Sequence, residues 1–74
     1  MQQAGEADLA DRAFQAAFEA EPTNAQLLWD RAEHLRQSGQ TARARPLYRQ
    51  LAEGKWQPRF AWVQAQARRE LEKP

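Results

Sequence analysis

His34 is the single histidine of a 74-residue chain that has no cysteine. A metal centre needs three or four ligands, so His34 reads as a packed or surface side chain rather than a ligand. Asp30 and Glu33 stand one helical turn apart, beside Arg31 and His34, which is the spacing of an acid–base pair. Their neighbours in sequence are polar, so nothing there lifts a carboxyl toward neutral pH, and the pair reads as a solvated face. Ser38 has no base near it in sequence and falls in a turn, so it is no activated nucleophile. Gly5, Gly39 and Gly54 are isolated helix stops rather than a phosphate-cradling loop. These residues predict neither an enzyme nor a cofactor.

The remaining chemistry is charge. Arg43, Arg45, Arg49, Arg59, Arg68 and Arg69, with Trp56, Phe60 and Trp62 among them, have the make-up of a platform on which single-stranded bases stack. A net charge of only +1 speaks against a dedicated nucleic-acid binder, and the aromatics read as core and turn anchors. The charge is unevenly spread. Residues 1–24 hold five acids against Arg12, a net −4, whereas the rest holds ten bases and five acids, a net +5. Such polarity can steer a partner or align neighbouring units, or simply solvate helix faces. No apolar run reaches the roughly 18 residues of a membrane span. The start, M-Q-Q-A-G-E-A-D, has neither the basic opening nor the apolar core of a secretory signal. The compartment stays open.

Four helices are needed to position these groups. Between Glu6 and Ala20 the apolar residues Leu9, Ala10, Ala13, Phe14, Ala17 and Phe18 recur at steps of three and four, one helical stripe. Glu6 and Asp8 suit the positive end of that helix, and Pro22 stops it. Thr23 or Asn24 caps the second helix, whose inner face is Leu27, Leu28, Ala32 and Leu35, with Trp29 beside it; Gly39 ends it. Thr41 is the expected cap of the third helix, which turns Ala44, Leu47, Tyr48 and Leu51 inward. Pro46 predicts a loose or bent first turn, with the secure helix starting near Ala44. Gly54 ends that helix, and the fourth runs from Pro58 to Glu72, with Phe60, Val63, Ala67 and Leu71 as its stripe and fraying at or before Pro74. The expected fold is all-α, four antiparallel helices as stacked helix–turn–helix hairpins in a single domain over residues 1–74. Its parts are residues 6–21, 24–56 and 58–72.

A repeat runs through this pattern. Gly5 and Gly39, Ala10 and Ala44, Phe14 and Tyr48, and Leu28 and Trp62 are each 34 residues apart. With Leu28-x2-Arg31-Ala32-x2-Leu35, Gly39 and Ala44-x3-Tyr48, the central unit resembles the tetratricopeptide repeat, W-x2-L-G-x2-Y followed by A-x3-F and a closing proline. The half-unit before it supplies Ala10-x3-Phe14, Ala17 and Pro22, and the one after it opens with Trp62. Arg31 replaces the pattern's leucine, Leu51 its alanine, Trp56 its proline, and Ala65-Gln66 its Leu-Gly. The resemblance covers residues 5 to about 67 and implies an α-solenoid, read here as the C-terminal portion of an array. About three units are usually needed for stability, so the uncovered face of the first helix, with Leu9, Ala13 and Phe18, is a candidate self-association contact.

The resemblance also implies a function. In such arrays the first helix of each hairpin lines a concave groove for a peptide or partner helix. Carried over, that groove is Gln26, Trp29, Glu33, Arg36 and Gln37, continued by Phe60, Val63, Ala67 and Glu70. Trp29 and Glu33 stand where the repeats that grip chaperone C-terminal carboxylates have lysine and asparagine. Trp29 with Phe60 and Val63 points instead either to an apolar anchor with Arg36 at its rim or, equally, to Trp29 and Phe60 packing between adjacent first helices. The implied role is a non-catalytic protein–protein interaction or scaffolding module. The alternatives are a structural or oligomerising cap with no ligand of its own and, more remotely, single-stranded nucleic-acid binding.

Overall fold

Apolar stripes punctuated by Pro22, Gly39 and Gly54 fold into four α-helices, with no strand among the described residues. The computed structural model describes the backbone of residues 4–73 and side chains from Leu9 onward. Helix α1 spans Ala4–Ala20, α2 Ala25–Gln37, α3 Thr41–Glu53 and α4 Ala61–Glu72, with a 3-10 turn at Pro58–Phe60 before α4. Consecutive helices pack on one another, and α2 also touches α4. The chain fills 36 × 32 × 15 Å. The short dimension is that of two helix layers, whose axes lie about 8–10 Å apart.

The core sits between α2, α3 and α4. It holds Leu28, Ala32 and Leu35 from α2, Ala44, Tyr48 and Leu51 from α3, and Phe60, Val63 and Ala67 from the last segment. Small side chains at Ala32 and Ala44, both fully buried, let α2 and α3 approach closely. By contrast α1 lies at the edge. Its Phe14 ring meets His34 at 5.7 Å, and its Phe18 ring meets Trp56 at 6.3 Å, while Leu9 and Ala13 face water. Phe18 is therefore part-buried rather than on the open face.

Helix ends are set by single bonds. Asn24 is the cap of α2, its Oδ1 accepting the Gln26 N–H at 3.1 Å. At the other end Gly39 has φ +82°, and the Gly39 and Gln40 N–H groups donate to the Arg36 and Leu35 carbonyls. That closure leaves α2 with a left-handed residue that glycine alone adopts without strain. A Cβ at Gly39 would meet nothing within 4 Å. Gly39→Ala is thus expected to cost about 1–2 kcal/mol from backbone strain alone, read as a lowered midpoint in urea with unchanged slope. Gly54 is a glycine for another reason. It is extended, but a Cβ there would come within 2.6 Å of the Trp56 indole, whose N–H donates to the Leu51 carbonyl at 2.9 Å.

Four expected details differ. Helix α1 begins at Ala4, so Gly5 is taken into its first turn instead of standing before it; the side chains of Glu6 and Asp8, and Pro74, lie outside the described residues. The cap of α3 is Gln40, and Thr41 is already helical. Helix α3 is α-helical through Pro46, because the exposed ring removes only one early bond, that to the Ala42 carbonyl. Finally, Pro58–Phe60 winds as a 3-10 turn before α4 starts.

Two polar clusters tie the helices together. Asp11, buried on α1, accepts from Arg31 Nε at 2.7 Å and Nη2 at 3.3 Å and from Arg43 Nη2 at 3.2 Å, so one carboxylate joins three helices. The Gln64 amide on α4 donates to the Ala52 and Gly54 carbonyls, each at 2.9 Å, and more weakly to Leu51, covering the free carbonyls at the end of α3. Among the described residues every buried polar side-chain atom has a partner.

Candidate interaction surface

The surface carrying the expected groove residues begins at Trp29. Its ring lies 5.6 Å from Tyr48 and 6.3 Å from Trp62, edge-on to the latter. Trp29 is half-buried against the core, so it bridges α2, α3 and α4. One turn on, Glu33 is not simply solvated. Its Oε1 accepts the Tyr48 hydroxyl at 2.9 Å, and its carboxylate pairs with Arg36. Burial pushes the Glu33 carboxyl up, but hydrogen bonds from Arg36 and Tyr48 outweigh it and hold the group below its ordinary value. The same contacts stabilise charged Arg36 through Glu33, and burial together with the Glu33 carboxylate pushes the Tyr48 hydroxyl up.

Gln26 is half-buried and donates to Asp30 at 2.9 Å, whereas Gln37 is exposed. The α4-side positions are placed differently from the groove carried over by resemblance. Phe60, Val63 and Ala67 are 7%, 0% and 0% exposed and belong to the core. The stripe that would face a ligand is the stripe α4 uses to pack on its neighbours, and it cannot do both. Trp62, on the adjacent stripe, is open instead. Arg36 and Glu70 reappear in a different place. Together with Thr41, Arg45, Tyr48 and Lys73 they line an open pocket of about 160 Å³ where α2 ends, α3 begins and α4 ends. Lys73 pairs with Glu70 at 2.9 Å, and Arg45 reaches the Leu71 carbonyl at 3.5 Å. The charges lining this open site can make polar contact with a partner surface.

The reading from sequence missed Asp11, the partner of Arg31. A hint lay in Arg31 itself, since a guanidinium on the apolar stripe of Leu28, Ala32 and Leu35 is half-buried and is stabilised there by a nearby anion. Gln64 and the Tyr48–Glu33 bond carried no comparable signal. The hydrogen bond from Arg31, opposed by burial and aided by the charge of Arg43, holds the Asp11 carboxyl below its ordinary value. Both depressed carboxylates, Asp11 and Glu33, have the same linkage sign. Their stabilisation is complete above the unfolded-state values, about 4 for Asp and Glu, and is lost as pH falls through the lower folded-state values. Thermal melts from pH 7 to pH 2 should therefore show a flat stability down to about pH 5 and a decline below about pH 4, with a shallower decline for Asp11→Asn. Compared with family models, with curated proteins and with solved structures, the chain matches none of them.

Proposed function

We propose that the chain is a segment of a tetratricopeptide-type helical array and serves as a non-catalytic protein–protein interaction module. The observation that carries this reading is the 34-residue register. It pairs α1 with α3 and α2 with α4, and its small and aromatic positions, Ala44 and Tyr48, are buried among packed helices. The contact surface is formed by Trp29, Arg36, Gln37 and the open ring of Trp62, with the charged pocket at its edge. An apolar ring beside an arginine suits a peptide that pairs an apolar anchor with a carboxylate. Panning a random peptide display library on the chain tests this. Enriched sequences should follow that pattern, and Trp29→Phe and Arg36→Ala should weaken them about tenfold while leaving the helical spectrum intact. Enrichment no better than on an unrelated helical protein defeats the binding role.

A second reading, a structural cap with no ligand, is favoured by one specific observation. Gln66 and Arg69 on α4 are exposed at the positions that correspond, 34 residues earlier, to buried Ala32 and Leu35. A polar outer face is what a terminal helix of an array requires. The panning experiment separates the two.

A further inference from the structure

Three cationic side chains meet around the pocket where α2 ends, α3 begins and α4 ends. Arg36 comes from α2, Arg45 from α3 and Lys73 from the C-terminal cap of α4, and Thr41, Tyr48 and Glu70 complete the lining of about 160 Å³. Tyr48 is buried and spends its hydroxyl proton on Glu33 at 2.9 Å, so the donors left for a guest are those of Arg36, Thr41, Arg45 and Lys73. Arg36 engages Glu33 through Nε and Nη2, which leaves Nη1 outside the pair. Lys73 engages Glu70 at 2.9 Å and, as an ammonium, has further protons to give. Arg45 differs from both. It is exposed, and among the described residues its side chain meets no carboxylate, only the Leu71 carbonyl at 3.5 Å, beyond the usual reach of a hydrogen bond. Three positive charges therefore face two carboxylates, Glu33 and Glu70, and the site keeps a positive excess. Glu72 and Arg69, the other charges near that end of α4, stand outside the lining and offset one another.

We propose that this pocket binds a phosphate dianion, either free or as the monoester of a small molecule. A phosphate group offers three acceptor oxygens, which donors from three helices can meet at once, whereas a planar carboxylate suits a single guanidinium fork. Arg45 supplies the guanidinium that has no acid of its own. Lys73 can hold a second oxygen without releasing Glu70, and Thr41 adds a hydroxyl. Because the pocket is open, an ester substituent can point into water. The same openness lets salt screen the charges, so binding is weak, with a Kd on the order of 1 mM. The inference goes beyond the peptide reading and does not depend on it, since neither Trp29 nor Trp62 lines this pocket.

Titration of the isotope-labelled 74-residue chain by NMR, in low salt at about pH 7.5, where a phosphate monoester carries close to two charges, reads the result. The probes are inorganic phosphate and monoethyl phosphate. The backbone amides of Thr41, Arg45 and Lys73 should shift together and saturate with a Kd on the order of 1 mM. Saturation by either probe at these residues supports the proposal, and the tighter of the two identifies the free ion or the ester as the source. Acetate at equal ionic strength should bind at least about tenfold more weakly. Arg45→Gln, at an exposed position, should weaken phosphate about tenfold or more with the helical spectrum unchanged, whereas Arg69→Gln, outside the pocket, should not. Shifts that stay linear or spread equally to Arg59 and Arg69, acetate that binds as well as phosphate, or an Arg45→Gln chain that binds as well as the parent overturns the proposal. Every arm is free of peptide, so its failure is distinct from failure of the panning experiment.

Discussion

Tyr48→Ala removes a large share of the stability of this domain. A domain of this size has a total stability of about 4–11 kcal/mol, and truncating a buried aromatic of this kind costs about 3–5 kcal/mol. Three losses combine at this site. The ring is 1% exposed within the core, it is one side of the ring contact with Trp29, and its hydroxyl satisfies Glu33. Tyr48→Phe isolates the last of these. It keeps the packing and removes one bond to a carboxylate that Arg36 still holds, a loss of about 1.5–3 kcal/mol at most. Urea unfolding followed by circular dichroism ranks the two, and a Tyr48→Ala variant as stable as Tyr48→Phe would mean that the core does not centre on α3.

The second large effect is at Asp11. Asp11→Ala removes the acceptor for two guanidinium groups and is expected to cost about 1.5–3 kcal/mol. Arg31, only 20% exposed in its side chain, suffers more than Arg43, whose side chain is half in water. The more telling experiment replaces both members. Removing one partner of a buried ion pair strands the other, but exchanging the pair for apolar residues of similar volume is often neutral or stabilising. Asp11→Leu with Arg31→Leu should therefore be at least as stable as either single variant, and a double-mutant cycle should return a favourable coupling. Zero coupling would show that Asp11 and Arg31 are independent of one another.

The helices and the core were legible because their causes are local and periodic. A stripe at steps of three and four, a proline after Glu21 and a glycine that must turn left-handed at position 39 are each written in a few neighbouring letters. The contacts that fix the fold's details are not. Asp11 meets Arg31 and Arg43 across 20 and 32 residues, and Tyr48 meets Glu33 across 15. Nothing in a short window couples them. The boundaries of α3 and α4 were displaced because each depends on one or two bonds, such as Phe60 N–H to the Gln57 carbonyl at 2.8 Å, which makes the 3-10 turn. The groove positions on α4 came from the resemblance and not from this chain's own packing, which buries Phe60, Val63 and Ala67. Here the same apolar stripe is consumed by packing on α3.

Gln64 sets how this molecule comes apart. Its amide stoppers the last carbonyls of α3, and Trp56 adds a further donor to Leu51, so the final turn of α3 cannot loosen while α4 stays docked. The two unzip as one cooperative block. Helix α1 packs mainly on α2 and is tied to the rest by Asp11–Arg43 and Phe18–Trp56, with no bond across its last carbonyls like that of Gln64 among the described residues, so opening begins there. In deuterium exchange its amides should label first, followed by α3 and α4 together on a common, slower clock.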